Sequence, residues 1–273
     1  TWADTNGQYY GSYFGYRNLR YKDHKDFRPL PTLESANGIR PGFDSQETLA
    51  PVPAKLVANW KFDEGQGAAA HDTSGGDHHG TIVGAKWTKG RLDGALSFSG
   101  NADFVRIGDV GDAFDTLSIA LWLKVESHKN QWNALLFCDD WSEHDLHLSV
   151  LDSGNPNAAI NGGSASGHHR AADQTIGDGQ WHHLALVCDQ RVGGAVQFYV
   201  DGKPDRRHPL YGLDMPIKLT GVRLGGYNVW EQTPGANFHG SLDDFHIYRG
   251  MLTAEQVAHL AQGAESCLDE QPQ

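Results

Sequence analysis

The stretch Trp181–Lys203, WHHLALVCDQRVGGAVQFYVDGK, restricts this chain more than any other. Two runs rich in β-branched and aromatic residues, Leu184–Val187 and Ala195–Val200, flank a turn carrying Gly193 and Gly194. Such side chains pack well on a pleated surface, and glycine accepts the backbone angles of a tight reversal, so the stretch predicts an antiparallel hairpin. Asp201-Gly202 signals another turn immediately afterwards. The same grammar of short strands broken by Gly, Asp and Asn turns runs through most of the chain, with almost no helix.

Strand-like runs begin at Leu56. LVANWKF alternates, with Ala58, Trp60 and Phe62 on one face. TIVGAKW, ALSFSG, DFVRIG, SIALWLKV, NALLFCDD, LHLSVLD, VRLGG and SLDDFHIYRG follow, separated by polar loops. About twelve strands at this spacing predict an all-β sandwich or jelly roll. One helix is expected near the end. Thr253 and Gln256 form a capping box for TAEQVAHLAQG, Leu252, Val257 and Leu260 supply an apolar stripe, and Gly263 supplies a stop.

Residues 1–55 read differently. The segment is rich in Tyr and Phe, is punctuated by Pro29, Pro31, Pro41, Pro51 and Pro53, and has neither sustained alternation nor a helical stripe. It predicts an extended arm and linker. Its aromatics (Trp2, Tyr9, Tyr10, Tyr13, Phe14, Tyr16 and Tyr21) need a surface to lie on, either the chain's own domain or another protein, and are the candidates for contact with a protein partner.

A formal net charge of −12 argues against a nucleic-acid footprint. No apolar run approaches the length of a membrane span, and none resembles a signal peptide. The chain starts at Thr1 rather than Met, consistent with a removed leader or with an expressed fragment, and the expected setting is extracytoplasmic. Cys138 and Cys188 each end an apolar run and read as small core residues, bridged only if their strands are neighbours. Cys267 lies in the polar tail 263–273.

Five ordered blocks carry a family resemblance: LVANWKFDEGQG…DTSGGDHHG, GRLDGALSFSGNADFVRIG, SIALWLK, WHHLALVCDQ…VQFYVDGK and GSLDDFHIYRGMLTAEQVAHL. Over residues 56–262 the chain resembles the laminin-G-like, pentraxin-related branch of the concanavalin A-like lectin/glucanase superfamily. The resemblance implies two antiparallel sheets in a curved jelly roll, with loops gathered along one edge. Its core would hold Trp60, Phe62, Leu96, Phe98, Val105, Ile119, Leu121, Leu184, Leu186, Phe198, Val200, Phe245 and Ile247.

The resemblance also implies a structural calcium where the first and last strands meet. Calcium takes six to eight oxygen ligands. Strict alternation from Trp60 and Phe62 turns Glu64 inward, and alternation from Phe245 and Ile247 turns Asp243 inward rather than Asp244. Asp72, in the DTSG turn, completes the expected set.

For a glycan, the candidates are Trp132, Trp141, Tyr227 and Trp230, which sit in or beside loops and can stack on sugar faces, with Asp139, Asp140 or Asn228 as hydrogen-bonding neighbours. Glycoside hydrolysis needs two carboxylates flanking the scissile bond. Only Glu143 and Asp145 alternate suitably, and the rest of a catalytic pattern is missing, so no catalytic residue is assigned. The paired histidines His78–His79, His168–His169 and His182–His183 diverge along a strand and read as structural. The expected role is a non-catalytic binding or scaffolding protein, an accessory subunit docking a protein partner through the arm and loop edge. Calcium-dependent carbohydrate binding is the alternative.

Overall fold

A computed structural model describes residues 2–3, 9–10, 50–128, 130–138, 142–161, 169–191, 194–209, 216–227 and 236–263. The chain forms two compact units, Thr1–Glu47 and Thr48–Gln273. In the first, β1 (Trp2–Ala3) pairs antiparallel with β2 (Tyr9–Tyr10).

The second unit carries the remaining strands. In order they are β3 (Lys55–Trp60), β4 (Ala69–Ala70), β5 (Gly80–Val83), β6 (Lys86–Lys89), β7 (Gly94–Ser99), β8 (Phe104–Gly108), β9 (Thr116–Val125) and β10 (Trp132–Phe137). Then come β11 (Leu146–Leu151), β12 (Pro156–Ile160), β13 (Arg170–Ala171), β14 (Trp181–Asp189), β15 (Ala195–Val200), β16 (Lys203–Pro209), β17 (Val222–Leu224) and β18 (His239–Arg249). The helix α1 spans Ala254–Leu260.

One sheet runs β13-β12-β11-β10-β17-β8-β5-β4, and the other runs β16-β15-β14-β9-β18-β7-β6, with β3 also paired to β18. We call them the front and back sheets. Every pairing between these strands is antiparallel, as a jelly roll requires. The stretch 181–203 forms the expected meander: β14 pairs β15, and β15 turns into β16 at Asp201 and Gly202, both left-handed at φ 51° and 75°. Two consecutive left-handed residues match the right-handed twist of the flanking strands.

All thirteen residues expected in the core lie in one buried cluster between the sheets. Alternation explains it: Leu184, Leu186 and Cys188 of β14 face in, while His183, Ala185 and Val187 face out. Val187 thus packs under α1 rather than between the sheets, with Ala120, Ala185, Tyr248, Leu252, Val257 and Leu260. The helix begins on the predicted capping box. Thr253 Oγ1 accepts from the Gln256 N–H at 3.2 Å, and the Gln256 side chain accepts from the Thr253 N–H at 2.8 Å. Cys138 and Cys188 are buried and unbridged, and burial pushes the Cys188 thiol up to about 12.

Candidate functional site

Two places on the sandwich bear on function: the outer face of the front sheet, and the fork on the back sheet where β18 changes partners.

On the front sheet, inward residues belong to the core cluster, among them Leu146, Leu148 and Val150 of β11, Ala158 and Ile160 of β12, Val222 and Leu224 of β17, and Val105 of β8. Their alternates therefore point out. Trp132 and Phe137 of β10, His147 and Ser149 of β11 and Asn157 of β12 form this outer face, which Tyr227 joins from the segment after β17. Trp132, Ala134, Phe137, Tyr227 and Ala236 make a separate apolar cluster. So the structure brings two of the sequence-derived sugar-binding candidates, Trp132 and Tyr227, into one patch. Trp141 and Trp230 lie outside the described residues, as do Asp139, Asp140 and Asn228.

The patch also holds His169, read from the sequence as structural, and His147 and Phe137, which the sequence did not single out. Trp132 lies parallel to His169, with ring centroids 5.6 Å apart and planes at 11°. Phe137 stacks on His147 at 3.9 Å, and Tyr227 meets both edge-on at 5.0 and 5.1 Å. His147 Nε2 sits 3.0 Å from the Cys138 carbonyl, which can only accept, so that nitrogen carries the proton. Burial, with a smaller push from His169, lowers the His147 pKa to about 3. The ring is therefore neutral and acts as an aromatic platform. Beside it, Asn157 is 1% exposed; its amide nitrogen contacts Ser149 Oγ and His169 Nδ1, and its Oδ1 has no hydrogen-bond partner.

The second place holds the expected calcium ligands, and the structure separates them. Asp72 is buried, and its carboxylate is fully engaged. Oδ1 accepts from the N–H groups of Asn59 and Ser74 at 3.0 and 2.9 Å, and Oδ2 accepts from the His78 N–H at 3.0 Å. Burial works against its charge, yet these donors outweigh it and hold the carboxyl below its usual range. Trp60 Nε1 donates to the His78 carbonyl at 2.8 Å, so this loop clasps the first long strand.

Glu64 does not continue the alternation of Trp60 and Phe62. β3 ends at Trp60, and Phe62 is left-handed at φ 59°, which breaks the strand before residue 64. Glu64 Oε1 accepts from the His71 N–H at 2.6 Å, while Oε2 is buried without a partner.

Asp243 departs from expectation in another way. Opposite β9, Asp243 pairs with Trp122 but His246 pairs with Ala120, so β18 carries one extra residue, and Asp244 sits in that bulge at φ 48°. A bulge reverses which face the following residues take. Leu242 therefore enters the core along with Phe245 and Ile247, and Asp243 faces outward alongside Trp122. It is still only 1% exposed, because the β6–β7 loop folds over it. Its Oδ2 accepts from the N–H groups of Arg91 and Leu92, both at 2.8 Å, and Oδ1 has no partner. A Cβ at Gly90 would stand 2.6 Å from Oδ2, so the loop approaches this closely only with glycine there. Burial, with Asp244 and Asp63 adding to it, pushes the Asp243 carboxyl up to about 7 against the pull of the two N–H bonds. A cleft of about 480 Å³ adjoins it, mixed in sign, with Lys61, Arg91, Asp63, Asp93 and Asp244 on its walls.

Among the described residues, no group of three or more His, Cys, Asp or Glu side chains converges to hold a metal ion. Glu64, Asp72 and Asp243 do not fit a calcium ion as one donor set. The acid pair considered for hydrolysis also divides. Asp145 is buried, accepting from the Ser142 N–H at 2.6 Å and Thr220 Oγ1 at 2.8 Å, whereas the Glu143 side chain is 72% exposed. The arm candidates Tyr13, Phe14, Tyr16 and Tyr21 lie outside the described residues, and for Trp2, Tyr9 and Tyr10 only the strand backbone is described.

The second unit is thus a two-sheet antiparallel jelly roll with aromatic side chains on the outer face of one sheet. The family described as the concanavalin A-like lectin/glucanases superfamily matches residues 99–258, more than half of the chain, and the chain belongs to it. No curated protein sequence matches the chain. Among solved structures, it is similar to domain 4 of AbnA, an extracellular GH43 arabinanase from Geobacillus stearothermophilus, in complex with arabinotriose. That likeness has 25% identity and a TM-score of 0.60, and covers 77% of this chain and 100% of that domain. The binding domain of Paraclostridial Mosquitocidal Protein 1 is 16% identical with a TM-score of 0.58, over 76% of this chain. The ligand binding domain of botulinum neurotoxin serotype D, in complex with N-acetylneuraminic acid, is 14% identical with a TM-score of 0.58, again over 76% of this chain. The chain spans only about half of these two, 52% and 50% of their lengths, and they share its fold alone.

Proposed function

We propose that this chain is a non-catalytic carbohydrate-binding domain whose site is the outer face of the front sheet, at Trp132, His169, Tyr227 and Asn157. The observation that carries the reading is the parallel Trp132–His169 stack, joined on the same face by Tyr227. Aromatic faces bury the apolar side of a sugar ring. The arabinotriose complex of AbnA domain 4 supports the class of ligand. Divergence of Glu143 and Asp145 supports a role without hydrolysis. The accessory-subunit role expected from the arm rests on residues outside the described part, and the aromatic face favours carbohydrate over it. A sugar ligand suits an extracytoplasmic setting, and among the described residues no helix is long and apolar enough to cross a membrane.

Calcium enters this reading at Glu64 alone. Its buried Oε2 has no hydrogen-bond partner, and a hard cation is the chemistry that satisfies such an oxygen. Asp72 is excluded because hydrogen-bond donors already occupy both of its oxygens.

The test is a glycan array followed by calorimetry, beginning with arabino-oligosaccharides, on the wild type and on Trp132→Ala. Binding is expected to fall at least about tenfold in the variant with melting temperature unchanged. A variant that binds as well as the wild type, or a wild type that binds no glycan, overturns the proposal.

A further inference from the structure

His128 stands where the two segments that carry the Trp132–His169 stack come together. It lies four residues before Trp132, and its ring meets Gly177, eight residues after His169. The imidazole reaches two loops at once. Nδ1 sits 3.0 Å from the carbonyl oxygen of Asp152, in the turn between β11 and β12. Nε2 sits 3.0 Å from the carbonyl oxygen of Gly177, in the loop between β13 and β14. The place is shaped for the ring. A Cβ at Gly177 would overlap it, and one at Gly154 would stand 2.9 Å from Cε1, so the ring fits only between glycines.

The joint leads directly to the stack. Asp152, whose carbonyl meets His128, donates its N–H to the Gln131 carbonyl at 3.2 Å, one residue before Trp132. Leu151 is the register partner of Trp132 itself. On the other side, the Ile176 N–H donates to the Gly154 carbonyl at 2.9 Å, and the Asn155 amide donates to the carbonyls of Ala172 and Asp173, both at 3.1 Å. These bonds anchor the loop that leaves β13, the short strand directly after His169.

A backbone carbonyl can only accept. A neutral imidazole carries one N–H, so it can serve one of the two oxygens and turns a lone pair toward the other; an imidazolium donates to both. The joint is complete only with the second proton.

We propose that His128 is a positioning residue whose protonated ring clamps the Trp132 and His169 segments together, so that glycan binding tightens as pH falls. This rests on the carbohydrate reading above and adds its control by protons. The charged groups on the packed segments are Glu126 on the ring's own loop, Asp152 on the turn, and Asp173 and Asp178 on the loop after β13. Glu126 lies 3.6 Å from His239, Asp173 binds Arg206 at 2.8 Å, and Asp178 binds His182 at 3.0 Å. Asp152 is exposed. Among the described residues none of the four forms an ion pair with His128, whose partners are the two carbonyls.

The experiment is calorimetry on the whole protein with arabinotriose, which has no ionisable group, at about pH 5.5 and about pH 8, the span over which histidine changes charge. The wild type is expected to bind about threefold or more tightly at the lower pH. His128→Gln, which has no titratable ring, should bind alike at both. His169 is present in both proteins, so the difference between their profiles isolates His128. Nitrogen-15 spectra of the wild type need no variant: both ring nitrogens of His128 should carry protons at the lower pH and only one at the higher. Binding that ignores pH, a dependence that survives His128→Gln, or a ring protonated on one nitrogen at both pH values overturns this inference and leaves the carbohydrate reading in place. A wild type that binds no glycan overturns both.

Discussion

Trp132 and His169 stack face to face, 5.6 Å between centroids, although 37 residues separate them in the chain. The imidazole backs the indole and fixes the plane it offers. An aromatic pair of this kind is worth about 0.5–1.5 kcal/mol. His169→Ala should therefore weaken glycan binding by about two- to tenfold, less than Trp132→Ala, and calorimetry on the two variants side by side checks the order. Equal losses would mean that His169 contacts the sugar itself.

Asp243 is held by the N–H groups of Arg91 and Leu92 while its carboxyl titrates near neutrality. Asp243→Ala leaves two buried donors unpaired and should cost about 2–4 kcal/mol in urea denaturation. Asp243→Asn keeps an acceptor for both and should cost much less. The sign with pH follows from the raised value. Between about 4 and 7 the native carboxyl holds its proton while the unfolded one releases it, so the wild type loses stability as pH rises through this window. The asparagine variant lacks that loss, and its stability relative to wild type should improve from pH 5 to pH 8.

His182 lies between two carboxylates, Nδ1 at 2.9 Å from Asp201 and Nε2 at 3.0 Å from Asp178. Burial alone would lower its pKa, but the hydrogen bonds and charges of Asp201 and Asp178 win, and the net shift is upward. The stability this supplies is full below the unfolded value of about 6.5 and is lost as pH rises through the higher folded value. Both acids are substantially exposed, so the effect is small and screened by salt. His182→Gln should flatten this limb of the melting profile above pH 6.5 in low-salt buffer. A profile identical to wild type would show that the two aspartates do not couple to it.

Removing calcium should lower the melting temperature of calcium-loaded protein by several degrees, as loss of any ligand specific to the native state does. Glu64→Gln should abolish that shift. Asp72→Asn should lower stability with and without calcium alike, since Asp72 holds a turn rather than an ion. A melting curve indifferent to chelator would remove calcium from the account.

What could be read along the chain was local in origin. The meander at 181–203, the inward set Leu184, Leu186, Phe198 and Val200, and the Thr253–Gln256 cap each depend on residues a few positions apart. Period-two alternation and hydrogen-bond reach settle them without knowledge of the rest. Glu64 and Asp243 were misplaced by that same alternation. It presumes an unbroken strand, and a left-handed Phe62 and a bulge at Asp244 interrupt it, neither of which the side chains announce.

The sequence by itself determined the fold class, the core and the capped helix, because burying apolar faces with the right period leaves few alternatives. It also singled out Trp132 and Tyr227 as aromatics outside the core. Only the tertiary structure decided what stands beside them. His169 reaches Trp132, and His147 reaches Phe137, through the strand order β13-β12-β11-β10, and Arg106 faces Arg223 because β8 and β17, more than a hundred residues apart, are neighbours in the front sheet. Period-two alternation says which side chains leave the core, and which of those lie together is set by strand order.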